Sequence, residues 1–255
     1  MRTILTGGAG FIGSHLADAL IAAGSRVLII DNFRTGRKEN VKSALAAGAE
    51  IAEIDITDGN ALDRIVEAYH PDVIFHFAAH IDVPASTLMP AFDALSNVIG
   101  SINVLAAAAE HGVRRVVNAS TGGAIYGSQV VVPARETDPA QPICPYGLSK
   151  LSAEHYARWF HCSRGLDTVT LRFGNVYGER QDPAQGAVIA RFCDQAIRGV
   201  PFEVFGTGDA TRDYVYVADV VAATLSVSSS TRMTDWRILR SCSACGPIMC
   251  NTVPC

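Results

Sequence analysis

The sequence carries no surplus of positive charge: the formal net charge is −4, and only 3 of its 255 residues are lysine. A protein that tracks nucleic acid or an anionic lipid surface needs a basic footprint, and none is present. The N-terminus has no charged region followed by a short apolar core of the secretory kind. No apolar run reaches the length that spans a bilayer. Internal repeats and long linkers are also missing. These absences favour a cytoplasmic protein whose partner is a small molecule, with no nucleic acid and no membrane. What is present is apolar bulk: 49% hydrophobic residues in 255 can bury one dinucleotide-sized domain and a smaller appendage.

Two short motifs stand out. Thr6-Gly7-Gly8-Ala9-Gly10-Phe11-Ile12-Gly13 follows the apolar run Thr3-Ile4-Leu5 and precedes Leu16, Ala19 and Leu20 at helical spacing. Glycines between a strand and a helix let the backbone close on a pyrophosphate and aim the helix's first N–H groups at it. The second motif is Tyr146-Gly147-Leu148-Ser149-Lys150. A tyrosine and a lysine four residues apart share a helix face, and an ammonium there is expected to lower the phenol's pKa towards neutrality. With 7 tyrosines and 3 lysines, chance would give this spacing roughly 0.1 times. Together the motifs describe a nicotinamide oxidoreductase site.

Strand and helix patterns alternate along the chain. Strands are expected at Arg2–Thr6, Arg26–Asp31, Glu50–Ile54, Val73–Phe77, Arg115–Ala119 and Asp167–Phe173, and helices at Phe11–Ala23, Val41–Ala47, Asn60–Tyr69, Phe92–His111 and Tyr146–Ser163. Gly24, Gly48, Gly112 and Gly165 sit where helices end. This order predicts an α/β fold: a doubly wound parallel sheet of the Rossmann type, with ligands at the carboxyl ends of its strands. Asp31 ends the second strand, about 20 residues past the glycine loop, where a carboxylate takes both ribose hydroxyls and repels a 2′-phosphate. That selects NAD; Arg34 and Arg37 are the competing signal, either as holders of a 2′-phosphate or as solvated charges. Asp55 ends the third strand, and is either an adenine contact or a turn cap feeding Thr57-Asp58.

The ordered set Gly-x-x-Gly-x-x-Gly, Asp31-Asn32, Asp55, Phe75-His76-Phe77-Ala78-Ala79, Asn97-x-x-Gly100-x-x-Asn103, Tyr146-x-x-x-Lys150, Arg172-Phe173-Gly174-Asn175-Val176-Tyr177-Gly178 and Arg212-Asp213-Tyr214 resembles the extended short-chain dehydrogenase/reductase family. Within it the chain is most similar to UDP-glucose (UDP-galactose) 4-epimerases. The resemblance covers residues 1 to about 228. It implies NAD bound by Gly7, Gly10, Phe11, Ile12, Gly13, Asp31, Asn32, Asp55, Ile56, Phe77, Ala78, Ala79, Asn97, Tyr146 and Lys150. It implies a UDP-sugar held by Ser120, Thr121, Tyr146, Asn175 and Arg212. Tyr146, Lys150 and Thr121 would be catalytic, interconverting C4 epimers through a transient 4-keto sugar. A homodimer built on the helices near Asn97–His111 and Tyr146–Ser163 is implied as well.

Departures qualify the resemblance. The hydroxyl usually found four residues before Tyr126-Gly127 is replaced by Gly122, so Thr121 or water takes its role. Related 4,6-dehydratases place an Asp-Glu pair where Gly123-Ala124 stand, because elimination needs an extra acid and base. Phe202–Gly206 is read as a strand beside the uracil, and Arg212 either as a diphosphate ligand or as an ion-pair partner of Asp213 or Asp219. After Leu225 the family pattern stops, and the tail reads as truncated or frame-shifted. Cys242, Cys245, Cys250 and Cys255 fall there, with a zinc site as the minor reading and no metal as the expected outcome; Cys144, Cys162 and Cys193 are read as small buried hydrophobes. The expected organisation is 1–173 for NAD, 174–230 as an incomplete sugar-nucleotide domain, and 231–255 as an anomalous tail. The alternatives are an impaired or noncatalytic NAD-binding relative, or an epimerase of another sugar nucleotide such as a UDP-uronic acid or an N-acetyl sugar.

Overall fold

In the computed structural model, residues 1–128, 132–185, 187–204, 206–229 and 249–251 are described. The chain runs β1 Arg2–Thr6, α1 Phe11–Ala22, β2 Arg26–Ile30, α2 Lys42–Ala46, β3 Glu50–Ala52, α3 Gly59–Tyr69, β4 Val73–His76 and α4 Val83–Leu88. It continues with α5 Pro90–Ala94, a π-helical turn Leu95–Ile99, α6 Gly100–Glu110, β5 Arg115–Thr121, α7 Gly122–Ile125, α8 Pro145–Arg164 and β6 Asp167–Phe173. Then come β7 Asn175–Tyr177, α9 Val188–Arg198, β8 Tyr214–Tyr216, α10 Val217–Ser229 and β9 Met249–Asn251. The large sheet has the order β3-β2-β1-β4-β5-β6-β9, with the first six strands parallel and β9 antiparallel on β6. Strand order reverses at β1, the switch point of the doubly wound fold. A small parallel pair, β7-β8, follows.

Apolar residues alternate between the two faces of the sheet, so each strand feeds two cores. Leu5, Ile29, Phe75, Val117 and Leu171 pack with Leu16 and Leu20 of α1 and Val220 of α10. Ile4, Leu28, Ile30, Ile74 and Val116 pack with Leu62 and Val66 of α3, Val104 and Leu105 of α6, and Phe160 of α8. Each such buried aliphatic side chain is worth about 2 kcal/mol. The helices are punctuated locally. Asp58 caps α3 by accepting the Ala61 N–H at 3.0 Å, Pro145 occupies the first turn of α8, and Gly165 ends it in the left-handed region at φ 69°.

Some expectations need correction. Phe202–Val204 form no strand, and the expected short elements omitted α4, α9 and the long α10. The continuous helix from Pro90 to Glu110 is, by length and composition, apolar enough to cross a bilayer. It packs instead against α3 and α8 as a core helix. Cys162 is disulfide-bonded, Cys144 is half-buried and Cys193 exposed, so none is the small buried hydrophobe expected. Cys242, Cys245 and Cys255, and with them the zinc reading, lie outside the described residues, while the backbone of Cys250 pairs with Leu171 in the register of β9 on β6.

At the amino end of the sheet Arg115 is buried among the strands at 1% exposure. Its guanidinium donates to Asp167 Oδ2 from Nε (2.8 Å) and Nη2 (2.5 Å), and Nη1 donates to the Val227 carbonyl, tying α10 to the sheet. Removing the carboxylate takes the ion-pair partner from a buried guanidinium. Asp167→Ala is expected to cost about 3 kcal/mol in urea denaturation, against under about 1 kcal/mol for Asp182→Ala, whose partner Arg37 is 59% exposed.

Candidate active site

The glycine loop closes tightly on the strand beside it. Gly7 has φ 71°, and a Cβ there would stand 2.5 Å from the Ala78 nitrogen; a Cβ on Gly13 would collide with the Gly7 carbonyl. Gly10 begins α1 without a side-chain cap, leaving its first N–H groups to an anion. Asp31 ends this cradle, 7% exposed, with Oδ2 accepting the Ala9 N–H and Oδ1 the Phe33 N–H, both at 2.9 Å. Burial raises its pKa, and those two N–H bonds oppose the rise. Arg34 lies over the Phe92 ring and Arg37 pairs with Asp182 at 2.6 Å, so both competing arginines are engaged elsewhere.

Asp55 lies on the floor next door. Burial raises its pKa, but bonds from the Thr57 N–H and hydroxyl and the Asn32 amide, together with the nearby Arg34 charge, outweigh it and hold the carboxyl low. Asn32 Nδ2 reaches Asp55 at 2.7 Å, linking the ends of β2 and β3. Ile56 packs under Gly100, where a Cβ would lie 2.5 Å from its side chain.

Beneath the loop after β4 runs a buried hydrogen-bonded chain that the sequence did not reveal. Ala78 N–H donates to Thr6 Oγ1 (3.3 Å), which bonds His76 Nδ1 (2.8 Å); His76 Nε2 meets Ser101 Oγ (2.9 Å), and Ser101 donates to the Asn97 carbonyl (2.6 Å). The Ser101 hydroxyl proton is committed to Asn97, which assigns the His76 proton to Nε2. Asn97, in the π turn, clamps the next loop residue: Oδ1 accepts the His80 N–H (2.8 Å) and Nδ2 donates to the His80 carbonyl (2.9 Å) and Asp93 (3.0 Å). Phe77 stacks on Phe173 with centroids 6.0 Å apart.

Tyr146 and Lys150 stand one turn apart on α8, as expected. Pro145 and the Cys144 cap open the helix, and the Tyr146 N–H reaches Ser86 of α4 at 3.2 Å. Lys150 is 6% exposed; its Nζ donates to the Ala119 carbonyl at 3.0 Å, and burial pulls its pKa down to about 8 against the opposing carboxylates Asp93 and Glu154. The expectation of a phenol lowered towards neutrality is overturned. Burial pushes the Tyr146 pKa well up, Asp93 and Cys144 push it further, and the Thr121 hydroxyl pulls it down. The spacing encodes the lysine four residues away, but not burial or a carboxylate from another helix.

Ser120 is turned from the cleft. It is 5% exposed and donates to Glu154 Oε1 at 2.6 Å, the same carboxylate that Arg172 holds through Nε and Nη2 (2.6 Å), while Arg172 Nη1 donates to the Tyr126 hydroxyl (2.7 Å). Asn175 is exposed and carries β7, its N–H bonded to the Asp213 carbonyl at 2.7 Å. Arg212 is exposed beside it and, among the described residues, forms no ion pair; its guanidinium donates to the Thr211 carbonyl at 2.7 Å.

The glycine cradle and the Asp31 carboxylate thus lie at the carboxyl ends of β1 and β2, and Lys150, which shares α8 with Tyr146, bonds the carboxyl end of β5. Residues 3–235 match the NAD dependent epimerase/dehydratase family. The chain belongs to that family. It is 41% identical over 223 residues to a protein of Methanocaldococcus jannaschii described as a putative UDP-glucose 4-epimerase, covering 87% of this chain and 72% of the relative. Among solved structures it is similar to UDP-glucose 4-epimerase of Thermotoga maritima with UDP-glucose (TM-score 0.86, 43% identity, 90% of this chain and 74% of that one). It is also similar to UDP-glucose 4-epimerase of Thermus thermophilus in complex with NAD (TM-score 0.84, 40% identity, 91% and 76%). The cofactor of the family is NAD, and the cradle fits it: the Cβ positions at Gly7 and Gly13 are closed by backbone, so only a bare loop forms there.

His76 generates a stability signature. Burial drives its pKa down to about 3, with the Lys150 charge adding to the shift. The unfolded chain therefore binds a proton near pH 6.5 that the folded chain refuses, and stability falls as pH drops from 6.5 towards about 3. Between pH 7 and pH 5 this costs about 2 kcal/mol. Denaturation at the two pH values should show that loss in the wild type and a smaller one in His76→Gln.

Proposed function

We propose that this chain is an NAD-dependent 4-epimerase of a UDP-hexose, interconverting UDP-glucose and UDP-galactose through a 4-keto sugar. The observation that carries it is the placement of Tyr146 and Lys150 on one face of α8, with Thr121 beside the phenol and Gly123-Ala124 where an eliminating enzyme needs an acid and a base. NAD, when bound, supplies the hydride acceptor and donor for C4. Gly7, Gly10, Phe11, Ile12 and Gly13 would hold its pyrophosphate, and Asp31 its adenosine ribose. Asn32, Asp55 and Ile56 would border the adenine, with Phe77, Ala78, Ala79 and Asn97 forming the wall on the nicotinamide side.

Tyr146 takes the proton of the sugar 4-hydroxyl and returns it to the epimeric oxygen. Lys150 spends one N–H on Ala119 and keeps two for the ribose hydroxyls, while its charge opposes the burial that disfavours phenolate. Thr121 donates to the reacting oxygen in place of a hydroxyl at Gly122. Asn175 and Arg212, both exposed, would hold the diphosphate; Arg212 forms no ion pair among the described residues, and a guanidinium suits bidentate phosphate contact. Residues 1–173 form the cofactor unit and 174–230 contribute the sugar-nucleotide side, with α10 returning to pack on α1.

Purified protein with NAD should convert UDP-galactose to UDP-glucose. Tyr146→Phe should lower kcat by about 10²–10⁴-fold and Thr121→Ala by about 100-fold, both with NAD binding retained. Absence of turnover in NAD-loaded wild type overturns the reading.

The same reading includes a homodimer. Leu88, Leu95, Ile99, Leu148, Tyr156 and Trp159 are all exposed on the α4–α6 and α8 layer, and Leu148, Tyr156 and Trp159 recur at helical spacing along one side of α8. Wild-type protein should sediment as a dimer, and Leu95→Glu with Trp159→Glu as a monomer; a monomeric wild type removes the dimer from the proposal.

A further inference from the structure

Most of the buried residues of α8 are small: Gly147, Ser149, Ala153 and Ala157. Apolar contact is non-directional, so such a surface lets a helix come close without fixing where along the strands it stops. Two directional bonds from consecutive residues of β5 do fix it. The Ala119 carbonyl accepts from Lys150 Nζ at 3.0 Å, and the Ser120 hydroxyl donates to Glu154 Oε1 at 2.6 Å. Lys150 and Glu154 are one turn apart, so the two bonds grip one face of α8. Glu154 is itself held, because Arg172 donates to Oε1 from Nε (3.0 Å) and to Oε2 from Nη2 (2.6 Å). Arg172 stands opposite Ser120 in the β5–β6 register, and its Nη1 donates to the hydroxyl of Tyr126, the residue after α7. Ser120 and Arg172 are buried and the Glu154 side chain is 9% exposed, so the bracket is shielded from solvent.

We propose that Ser120 is a positioning residue of the active site: through its bond to Glu154 it sets where α8 stands on β5, and so where Lys150 and Tyr146 stand at the strand end. The proposal rests on the assignment of Tyr146 and Lys150 as the acid/base pair. Tyr146 lies one turn before Lys150 on the same helix, so any slide or rotation of α8 moves both groups together. The resemblance places Ser120 against the sugar, but its hydroxyl is spent on a carboxylate that Arg172 already anchors. The Lys150–Ala119 contact belongs to the reacting centre, whereas the Ser120–Glu154 bond lies one turn behind it and touches no reacting group. Its work is geometric, and a displacement well below 1 Å at an acid/base group is enough to slow a reaction severalfold or more.

Ser120→Ala deletes the hydroxyl and leaves the Arg172–Glu154 pair whole, and the test reads that variant in two ways. In crystal structures of the NAD-bound proteins, Lys150 Nζ should stay bonded to the Ala119 carbonyl in the wild type and move beyond about 3.5 Å from it in the variant. With UDP-galactose, kcat should fall about tenfold while KM stays within about twofold. A Lys150–Ala119 contact that survives in the variant overturns the proposal, and so does an unchanged kcat, even if the variant melts at a lower temperature. A raised KM at unchanged kcat also overturns it and returns Ser120 to the sugar. Ser120→Cys, close in size and only a weak donor, provides the same readings if the alanine variant does not fold. If the wild type does not epimerise UDP-galactose, the function proposed above falls, and the Lys150–Ala119 contact in the two crystal structures alone decides the role of Ser120.

Discussion

The close approach of Gly7 to Ala78 is the constraint on which the site depends. At the switch point, β1 stands between β2 and β4, and the loops leaving β1 and β4 diverge to opposite faces of the sheet. Backbone occupies the place of a Gly7 side chain, so the two loops meet without filling the crevice between them. The Thr6–His76–Ser101–Asn97 chain then fixes the far loop from below, because every donor and acceptor in it is committed. A neutral His76 is needed for that pattern, since a charged ring would donate from both nitrogens and lose the Thr6 proton it accepts. The depth of its burial secures the neutral form.

Charge under the site is arranged in two layers. Deeper in, Glu154 and Arg172 satisfy each other and draw in Ser120 and Tyr126, joining α8, β5 and β6 into one frame. Such a pair adds little net stability when measured against an apolar replacement, but removing either member alone would leave a buried charge, so it fixes geometry more than it adds stability. Closer to the strand ends, Lys150 spends one N–H on the Ala119 carbonyl, and Asp93 Oδ2 has no hydrogen-bond partner among the described residues. The contrast separates a scaffold from a working site using residues of the same chemical types.

Much of the fold was legible because it rests on local signals. β1 and β6 were readable to the residue, and α1, α3 and α8 to within two residues, from apolar periodicity, the glycine loop and the terminating glycines. The π turn at Leu95–Ile99 was hidden, since it lies inside one continuous apolar helix and changes only which way Asn97 points. Phe202–Val204 has the composition of a strand but no partner strand, and β-propensity without pairing does not make a sheet. Tyr146, Lys150, Asp31 and the glycines were visible because motif spacing encodes them. Asp93, His80 and Glu154 were not, and Ser120 was read as a sugar contact rather than as a partner of Glu154, because these roles come from contacts 13 residues apart for His80–Asp93 and 34 for Ser120–Glu154.

The Tyr146 phenol shows why the missing part matters most for mechanism. A lysine at i+4 alone would make a permanently acidic tyrosine, and a phenolate standing ready would remove the substrate proton without regard to whether a hydride acceptor was in place. Burial and Asp93 act against that bias and raise the phenol's pKa. NAD, when bound, would add positive charge that favours ionisation. Burial that holds the proton, set against an ammonium that draws it off, suits an acid/base that must return the proton it took.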